Sequence, residues 1–362
     1  MTPLIRTATL FGYLGGRNLG DDAMLEGLLS VLPRGWRVIV LARDPAAVVL
    51  PHGVEGEVLS AGPRTALAAF RRSDAVIRVG GTSFHDEYAG GDRLRMAFNY
   101  AKLSALFLAA RAMGKAVGAF GVGAGRMTSA WTRACASAAY RACSTIIARD
   151  PVSARAIAGL GVSGVIEGVD LAFLSPAPPP GEGTDLGLSL LDLGPFTGAS
   201  LDGQLGFWAR LAREAQARSG ARALRLLVFK DNETESDLPI ARRLATEVAG
   251  DFDDIAIVAH GAGLGVMRDT LAGCALIVAT RYHAAILGAV AGRPVVIVPY
   301  NDKLRSLADD LGLAETDLVA PGGPVDTPLR PAVLNVGAPA FAARKAATGQ
   351  SIARFFDQVG TR

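Results

Sequence analysis

Several residue types are scarce in this sequence, and each scarcity argues against a class of protein. Aromatic residues make up only 6% of the chain and are not interleaved with basic runs, which argues against nucleic-acid binding. The three cysteines have neither metal-binding nor redox spacing, and their odd number is typical of a reducing compartment. Arg, Lys or His interrupts each apolar stretch before it reaches the roughly 20 residues that cross a membrane. We therefore expect a cytoplasmic protein that binds neither nucleic acid nor a metal.

The sequence is instead rich in short apolar runs that alternate with helical periodicities. A length of 362 residues suggests two domains. Buried strands that are separated by helices form parallel sheets covered on both faces, so the pattern predicts an α/β protein. The predicted strands cover residues 8–13, 37–42, 74–81, 115–123 and 144–150, and then 186–192, 224–230, 254–260, 275–280 and 294–300.

A Pro/Gly-rich segment divides the alternation into two halves. Proline is excluded from helix interiors and central strands, so residues 176–185 are predicted to be a linker. An N-terminal Rossmann-like domain would cover residues 1–175, and a C-terminal one would cover 186–335. A last helix within 336–362 could pack back on the N-terminal domain. The expected fold is two doubly wound domains facing a cleft, with ligands beyond the carboxyl ends of the strands.

Four loops of the N-terminal half follow predicted strands and carry polar residues. Asp21 or Asp22 could cap a helix after the first strand, and the exposed N–H groups of that helix could hold an anion; a tight turn with an N-cap would explain the same residues. The loop from Gly81 onward brings Ser83, His85 and Asp86 to the end of a buried strand, where a polar rim is the alternative. The other two loops contain Gly123 and Arg149. Asp150 is expected to cap a helix, and Arg149 either forms a salt bridge or binds a ligand anion.

The most specific loop is in the C-terminal half. Arg281 and His283 follow a predicted strand and begin a helix, whose N–H groups and dipole favour an anion. Arg281 can bind two oxygens, and His283 can donate a proton near neutral pH. Tyr300 and Lys303 follow the next strand. These residues predict an anion site with an acid, although a buried His and solvent-facing cations would also fit the pattern.

Taken in chain order, these loops resemble the motifs of the polysaccharide pyruvyl transferase family. The likeness extends from about residue 11 to residue 310, with Thr82 in place of a third glycine and Leu171 in place of proline. The matching residues are Asn18, Gly20 and Asp21; Gly80 and Gly81; Gly121 and Gly123; Arg149, Asp150 and Ser153; Asp170, Ala172 and Phe173; Arg281 and His283; and Tyr300 and Lys303.

The resemblance implies a GT-B-like fold and an enzyme that transfers a pyruvyl group from phosphoenolpyruvate to two hydroxyls of a sugar. Phosphate leaves, and the product is a cyclic ketal. No cofactor is expected. The expected donor-binding residues are Arg149, Arg281, Lys303, Tyr300 and Gly123. The general acid would be His283, and His85 or Asp86 would take the hydroxyl proton. The acceptor side would include Asn18, Asp21, Gly81 and Ser83.

Two other functions remain open from the sequence. One is a glycosyltransferase of the same architecture that uses a nucleotide sugar, which would need a ribose-binding carboxylate in the second domain. The other is a non-catalytic sugar-binding member of an assembly complex. The acceptor could be a polymer, a lipid-linked intermediate or a small molecule, and the oligomeric state is not predicted.

A weak peripheral membrane contact is a further expectation. Three arginines, at positions 64, 71 and 72, flank the segment 65–70, in which helical spacing puts Leu67 and Phe70 near one face. Such a helix could dip into anionic lipid, and a helix packed on the sheet is the alternative.

Overall fold

The computed structural model describes residues 5–86, 92–179, 181–323 and 329–361. The chain forms two compact units. Unit 1 comprises the residues up to 16, residues 21–175 and the residues from 342 onward. Unit 2 comprises residues 17–20 and 176–341.

Unit 1 is a doubly wound parallel sheet. Its strand order is β3-β2-β1-β4-β6-β7-β8, all pairs are parallel, and β5 pairs with the end of β6. The strands are β1 (Arg6–Phe11), β2 (Trp36–Ala42), β3 (Gly56–Ser60), β4 (Ala75–Val79), β5 (Thr82–Phe84), β6 (Ala116–Ala124), β7 (Thr145–Ala148) and β8 (Val165–Glu167). The helices that begin before residue 175 are α1 (Leu19–Ser30), α2 (Pro63–Arg71), α3 (Asp92–Ala112), α4 (Ala130–Ala142) and α5 (Pro151–Ala158).

Unit 2 repeats the same winding. Its order is β11-β10-β9-β12-β13-β14, and only the edge strand β14 is antiparallel within the described residues. The strands are β9 (Asp185–Ser189), β10 (Ala223–Val228), β11 (Asp254–Ala259), β12 (Cys274–Ala279), β13 (Pro294–Ile297) and β14 (Ala332–Val333). The helices are α6 (Gly194–Thr197), α7 (Leu201–Ser219), α8 (Leu238–Glu247), α9 (Gly263–Ala272), α10 (Tyr282–Val290) and α11 (Asp302–Asp310).

The last helix, α12 (Pro339–Gly360), packs on unit 1 over most of its length. Phe355 lies edge-on to Phe120 with 5.1 Å between ring centroids, and Phe356 lies 4.7 Å from Trp36. The region predicted as a linker has no helix or strand before Asp185 in its described part, and it is assigned to unit 2.

The helix α2 does not have the apolar face that membrane binding would need. Phe70 is fully buried, with its ring 6.3 Å from that of Phe11 in the core of unit 1. Arg72 is paired with Glu57. Phe70 is therefore used for packing in unit 1, as the packed-helix alternative predicted, and is not available to enter lipid. No helix of the described residues is long and apolar enough to cross a membrane.

Candidate active site

In unit 2, a short loop that contains Thr280 and Arg281 joins β12 to α10; it is here called the Arg281 loop. Thr280 is fully buried, and its hydroxyl donates to the Ser189 carbonyl at 2.6 Å, which ties this strand end to β9. Arg281 is the residue before α10, and His283 lies in the first turn of that helix. The predicted placement of both residues at a helix N-terminus is confirmed.

The Arg281 guanidinium lies in a pocket of carboxylates. Its Nε donates to Asp237 Oδ2 at 3.0 Å, and its Nη2 contacts both Asp237 Oδ1 and Glu235. Asp237 is 1% exposed. Burial alone would lower the pKa of Arg281, but the Asp237 hydrogen bonds and the charges of Asp237 and Glu235 raise it above its usual value. Arg281 is therefore fixed as a cation, and its fork is held in one orientation.

Glu235 and Asp237 belong to an acidic loop that the sequence analysis passed over. The loop follows β10, and Lys230 at its start pairs with Glu235 and donates its backbone N–H to Asp237 at 3.2 Å. Burial raises the pKa of Glu235, but Arg281 and Lys230 outweigh it and keep that pKa below its ordinary range. Reading every loop that follows a strand would have found these residues, because 231–237 contains four carboxylates.

The turn around Asn18 belongs to unit 2, not to the N-terminal domain. Asn18 bridges to Lys230, and the Leu19 N–H donates to the Phe229 carbonyl at 3.0 Å. The Asn18 side chain accepts from the Gly20 N–H at 3.1 Å, so Asn18 caps α1 and the predicted capping by Asp21 or Asp22 is wrong. Both aspartates lie in the first turn instead.

Gly20 brings this turn directly against the Arg281 loop. A Cβ atom on Gly20 would lie 2.0 Å from His283 Nδ1, so only glycine allows the imidazole its position. Two motifs that are far apart in the sequence are therefore adjacent in unit 2.

Tyr300 and Lys303 reach the same edge of the sheet. The Tyr300 ring packs on Phe196 at 4.7 Å between centroids, and burial raises the pKa of its phenol, with a partial offset from nearby Arg281. Lys303 Nζ lies 3.9 Å from the centroid of the Tyr282 ring, which is edge-on to His283. The four residues predicted for this half are thus gathered around the N-terminus of α10.

In unit 1, Arg149 is buried at the end of β7. Its side chain is 6% exposed, and its Nε pairs with Asp150 at 3.0 Å. Asp150 caps α5 by accepting from the Ser153 N–H, as predicted, and Ser153 Oγ accepts from the Ala124 N–H at the end of β6. A Cβ on Gly123 would lie 2.5 Å from the Arg149 guanidinium carbon, so glycine is required for the arginine to cross that strand end.

His85 and Asp86 line a cavity of about 370 Å³ between α3 and α4, here called the α3/α4 cavity. Its wall includes Arg93, Leu94, Met96, Ala97, Tyr100, Thr128, Ser129, Trp131 and Thr132. Ser83 does not line it, because that residue is buried and its hydroxyl faces Tyr140. Among the described residues, no group of three His, Cys, Asp or Glu side chains is arranged to hold a metal ion.

The Asp86 carboxylate is used to organise the start of α4. It accepts from the Ser129 N–H at 2.6 Å, from the Thr132 hydroxyl at 2.5 Å and from both the N–H and the hydroxyl of Thr128. Burial raises the pKa of Asp86, but these hydrogen bonds together lower it below its usual value. A carboxylate with a lowered pKa is a weak base, so this geometry favours a structural part for Asp86.

A family model described as polysaccharide pyruvyl transferase matches residues 18–302. The chain belongs to the polysaccharide pyruvyl transferase family. It is accordingly a transferase, as the motifs predicted. No curated protein sequence matches it significantly.

Solved structures with the same fold differ strongly in sequence. UDP-GlcNAc 2-epimerase from Methanocaldococcus jannaschii has a TM-score of 0.56 and 11% identity over 98% of this chain and 99% of its own. Staphylococcus aureus MnaA bound to UDP has a TM-score of 0.52 and 11% identity over 85% and 83%. Anabaena HepE with UDP-glucose has a TM-score of 0.51 and 13% identity over 98% of both chains. These likenesses confirm the predicted GT-B-like fold of two Rossmann-like units.

The two departures from the family motifs leave the local backbone intact. Gly80 and Gly81 have positive φ, whereas Thr82 is in β5 and does not. Leu171 is the first residue of a 3-10 turn capped by Asp170, a position that proline also tolerates.

Proposed function

We propose that this transferase moves the pyruvyl group of phosphoenolpyruvate onto two hydroxyls of a saccharide and forms a cyclic ketal. The observation that supports this most strongly is the position of His283. It lies beside a fixed cation in the first turn of α10, and it packs against the glycine of the Asn-x-Gly turn. An acid at an anion-binding helix end suits a donor that must be held by its charges and protonated on carbon.

The donor carries a carboxylate and a phosphate, so it needs more than one cation. In unit 2 the proposal assigns this work to Arg281 and Lys303, with Tyr300 as a neutral hydrogen-bond donor, since burial raises the pKa of its phenol. In unit 1 it assigns Arg149, beside Gly123. The carboxylates around Arg281 hold its guanidinium in one orientation, so the oxyanion would meet a cation that is already oriented.

The proposed chemistry begins with a proton on carbon. His283 donates its proton to the methylene carbon of the enol, and the central carbon becomes an oxocarbenium ion. One sugar hydroxyl attacks that carbon and loses its proton to a base, for which His85 is the proposed residue. Phosphate then leaves with the electrons of its C–O bond, and the second hydroxyl closes the ketal. The saccharide loses two hydroxyl protons in all. One makes up for the proton that His283 gave to carbon, and the other leaves with the phosphate.

The α3/α4 cavity is the proposed acceptor site. A volume of about 370 Å³ falls in the range of small-molecule pockets. Trp131 is 53% exposed, yet its indole N–H donates to the Ala97 carbonyl at 3.0 Å. The ring is thus a fixed apolar plate at the cavity wall, suited to the C–H face of a sugar, and His85 lies among its polar neighbours.

The nucleotide-sugar alternative needs a carboxylate in unit 2 that can bind a ribose. Glu235 and Asp237 are both engaged by Arg281, and Glu235 is engaged by Lys230 as well. A ribose would therefore have to compete with these ion pairs to reach either carboxylate.

The test is a donor comparison with the purified protein and a saccharide extract of the native host. We expect phosphate release and a product with the mass of a pyruvate ketal from phosphoenolpyruvate, and no product from UDP-sugars. In D₂O, the ketal methyl group should carry one deuterium, because the proton on carbon comes from an exchangeable acid. Transfer from a UDP-sugar, without phosphate release from phosphoenolpyruvate, would refute the proposal.

A further inference from the structure

Arg78 occupies a place in unit 1 where a charged side chain is unexpected. It is the next-to-last residue of β4, a strand whose other residues are buried and apolar. It pairs with Phe11 at the end of β1. The chain winds outward from β1 to β3 and then returns to β4 on the other side, so β1 and β4 meet at the topological switch point, where doubly wound sheets bind ligands.

The Arg78 guanidinium packs over the Phe11 ring, with 5.8 Å between its central carbon and the ring centroid, but no carboxylate pairs with it among the described residues. Its Nε is buried and has no hydrogen-bond partner among the described residues. It takes part in none of the ion pairs of the described part of unit 1, and Asp21 attracts it only at longer range. Burial lowers the pKa of Arg78, and Asp21 offsets this in part. Arg78 is only partly removed from water, so an arriving anion would find a positive charge that no carboxylate neutralises.

The surroundings of Arg78 leave room for such an anion. A Cβ on Gly12 would lie 3.1 Å from Nη1, and one on Gly81 would lie 3.5 Å from Nη2, so two glycines keep the ends of the fork uncovered. Arg149 adds a second positive charge, since Arg78 and Arg149 both act on the buried Tyr140 phenol. Unlike Arg78, Arg149 already has a carboxylate partner.

We propose that Arg78 binds an oxyanion, a carboxylate or a phosphate, at the switch point of unit 1. The oxyanion could belong to an acidic saccharide acceptor or to the phosphoenolpyruvate donor, and both present the planar pair of oxygens that an arginine fork recognises. The proposal concerns binding alone, so it stands or falls separately from pyruvyl transfer.

The experiment compares Arg78→Met with wild type in buffers without phosphate or carboxylate. Isothermal titration measures the Kd of inorganic phosphate, glucuronate and phosphoenolpyruvate, and thermal unfolding measures Tm with and without each. We expect the wild type to bind at least one probe, and Arg78→Met to weaken that binding by roughly 10–100-fold. Without a probe, the variant should unfold at the same Tm as wild type or a higher one. If Arg78→Met weakens the binding of glucuronate, the oxyanion belongs to an acidic saccharide acceptor. If it weakens the binding of phosphoenolpyruvate, the oxyanion belongs to the donor.

Arg225→Met is the matched control, because Arg225 is also a strand arginine but is paired with Asp185 and Asp254 in unit 2. It should lower Tm and leave every Kd unchanged. If Arg78→Met lowers the probe-free Tm as Arg225→Met does and leaves the affinities unchanged, Arg78 is a structural residue and the proposal is overturned. Failure of the wild type to bind any of the three probes would overturn it equally.

Discussion

At the scale of single residues, His283 is the side chain on which the proposed chemistry most depends. His283→Gln keeps a polar group of similar size at the N-terminus of α10 but cannot protonate carbon. We expect kcat to fall by about 10²–10⁴-fold while the Kd of phosphoenolpyruvate changes only a few-fold. Single-turnover kinetics and titration measure the two quantities. His52→Gln is the control, because His52 is exposed in a loop of unit 1. Full turnover by His283→Gln would refute the assignment.

Trp131 tests the proposed acceptor site. Trp131→Ala removes the fixed ring from the α3/α4 cavity without touching the donor residues. The KM for the saccharide acceptor should rise roughly 2–10-fold, with the Kd of phosphoenolpyruvate unchanged. Phe98→Ala is the matched control, because Phe98 is an exposed aromatic on α3 that does not line the cavity. Equal effects of the two variants on KM would count against the cavity.

Asp237 tests the carboxylate pocket of Arg281. Asp237→Ala removes one partner of a buried ion pair and should lower the free energy of unfolding by about 3–5 kcal/mol. Urea denaturation, followed by the fluorescence of the unit 2 residue Trp208, measures the change. Asp251→Ala breaks an exposed pair with Arg213 and should cost less than about 1 kcal/mol. If the two costs are equal, the Asp237 pair does not stabilise unit 2.

The sequence predicted the placement of Arg281 and His283 at the start of α10 correctly, because the signal is local: an apolar strand, then Arg and His, then a helix. It did not reveal that Arg281 is held by Glu235 and Asp237, because that contact joins separate loops after β10 and β12. The same holds for Gly20 against His283. A contact between two loops at the same edge of a sheet cannot be predicted from the residue spacing within either loop.

At the scale of elements, strand prediction succeeded where strands are buried on both faces. The missed strands β3 and β8 are the two edges of the unit 1 sheet, the missed β5 is a three-residue strand off its main path, and β14 is an edge of the unit 2 sheet. They are short or half-exposed, so they carry no apolar run. The cap of α1 was predicted at Asp21 or Asp22, too late in the chain, for a different reason. An Asn cap followed by Leu and Gly gives a weaker signal than the Asp pair after it.

The start of helix α4 depends on hydrogen bonds to Asp86, a residue outside the helix. The Ser129 side chain makes no capping hydrogen bond, and Asp86 instead ties the start of the helix from outside by accepting from the Ser129 N–H and the Thr132 hydroxyl. Asp86→Ala should destabilise unit 1 by about 1–2 kcal/mol. Because the folded-state pKa of Asp86 is lowered, its contribution is present above the unfolded value of about 3.9 and is lost as pH falls through the folded value. Urea midpoints at neutral and acid pH measure both effects.

Asp86→Asn separates a structural part from a catalytic one. The amide oxygen retains some of the capping hydrogen bonds, so α4 should remain formed and turnover should fall less than about tenfold. A loss of turnover of 10²-fold or more in a fully folded Asp86→Asn protein would restore Asp86 as the hydroxyl base.

At the scale of the whole molecule, each unit has its own core, and the end of the chain completes the core of unit 1. The pattern of two doubly wound halves was readable from the sequence, because it depends on the order of strands and helices. The sequence suggested that the last helix could pack back on the N-terminal domain, but it did not show which surface of that domain α12 would cover. Its position is fixed by aromatic contacts of Phe355 and Phe356 with residues far away in the sequence.

Phe355→Ala tests this completion of unit 1. The side chain is almost fully buried against Phe120, so its removal should lower the free energy of unfolding of unit 1 by about 3–5 kcal/mol. Two units with separate cores need not unfold together, so Trp36 and Trp208 fluorescence should be followed in single-tryptophan backgrounds. We expect the Trp36 transition to shift to lower urea and the Trp208 transition to stay in place. Arg354→Ala, an exposed neighbour on the same helix, should move neither by more than about 0.5 kcal/mol. A shift of the Trp208 transition alone would mean that α12 stabilises unit 2 instead.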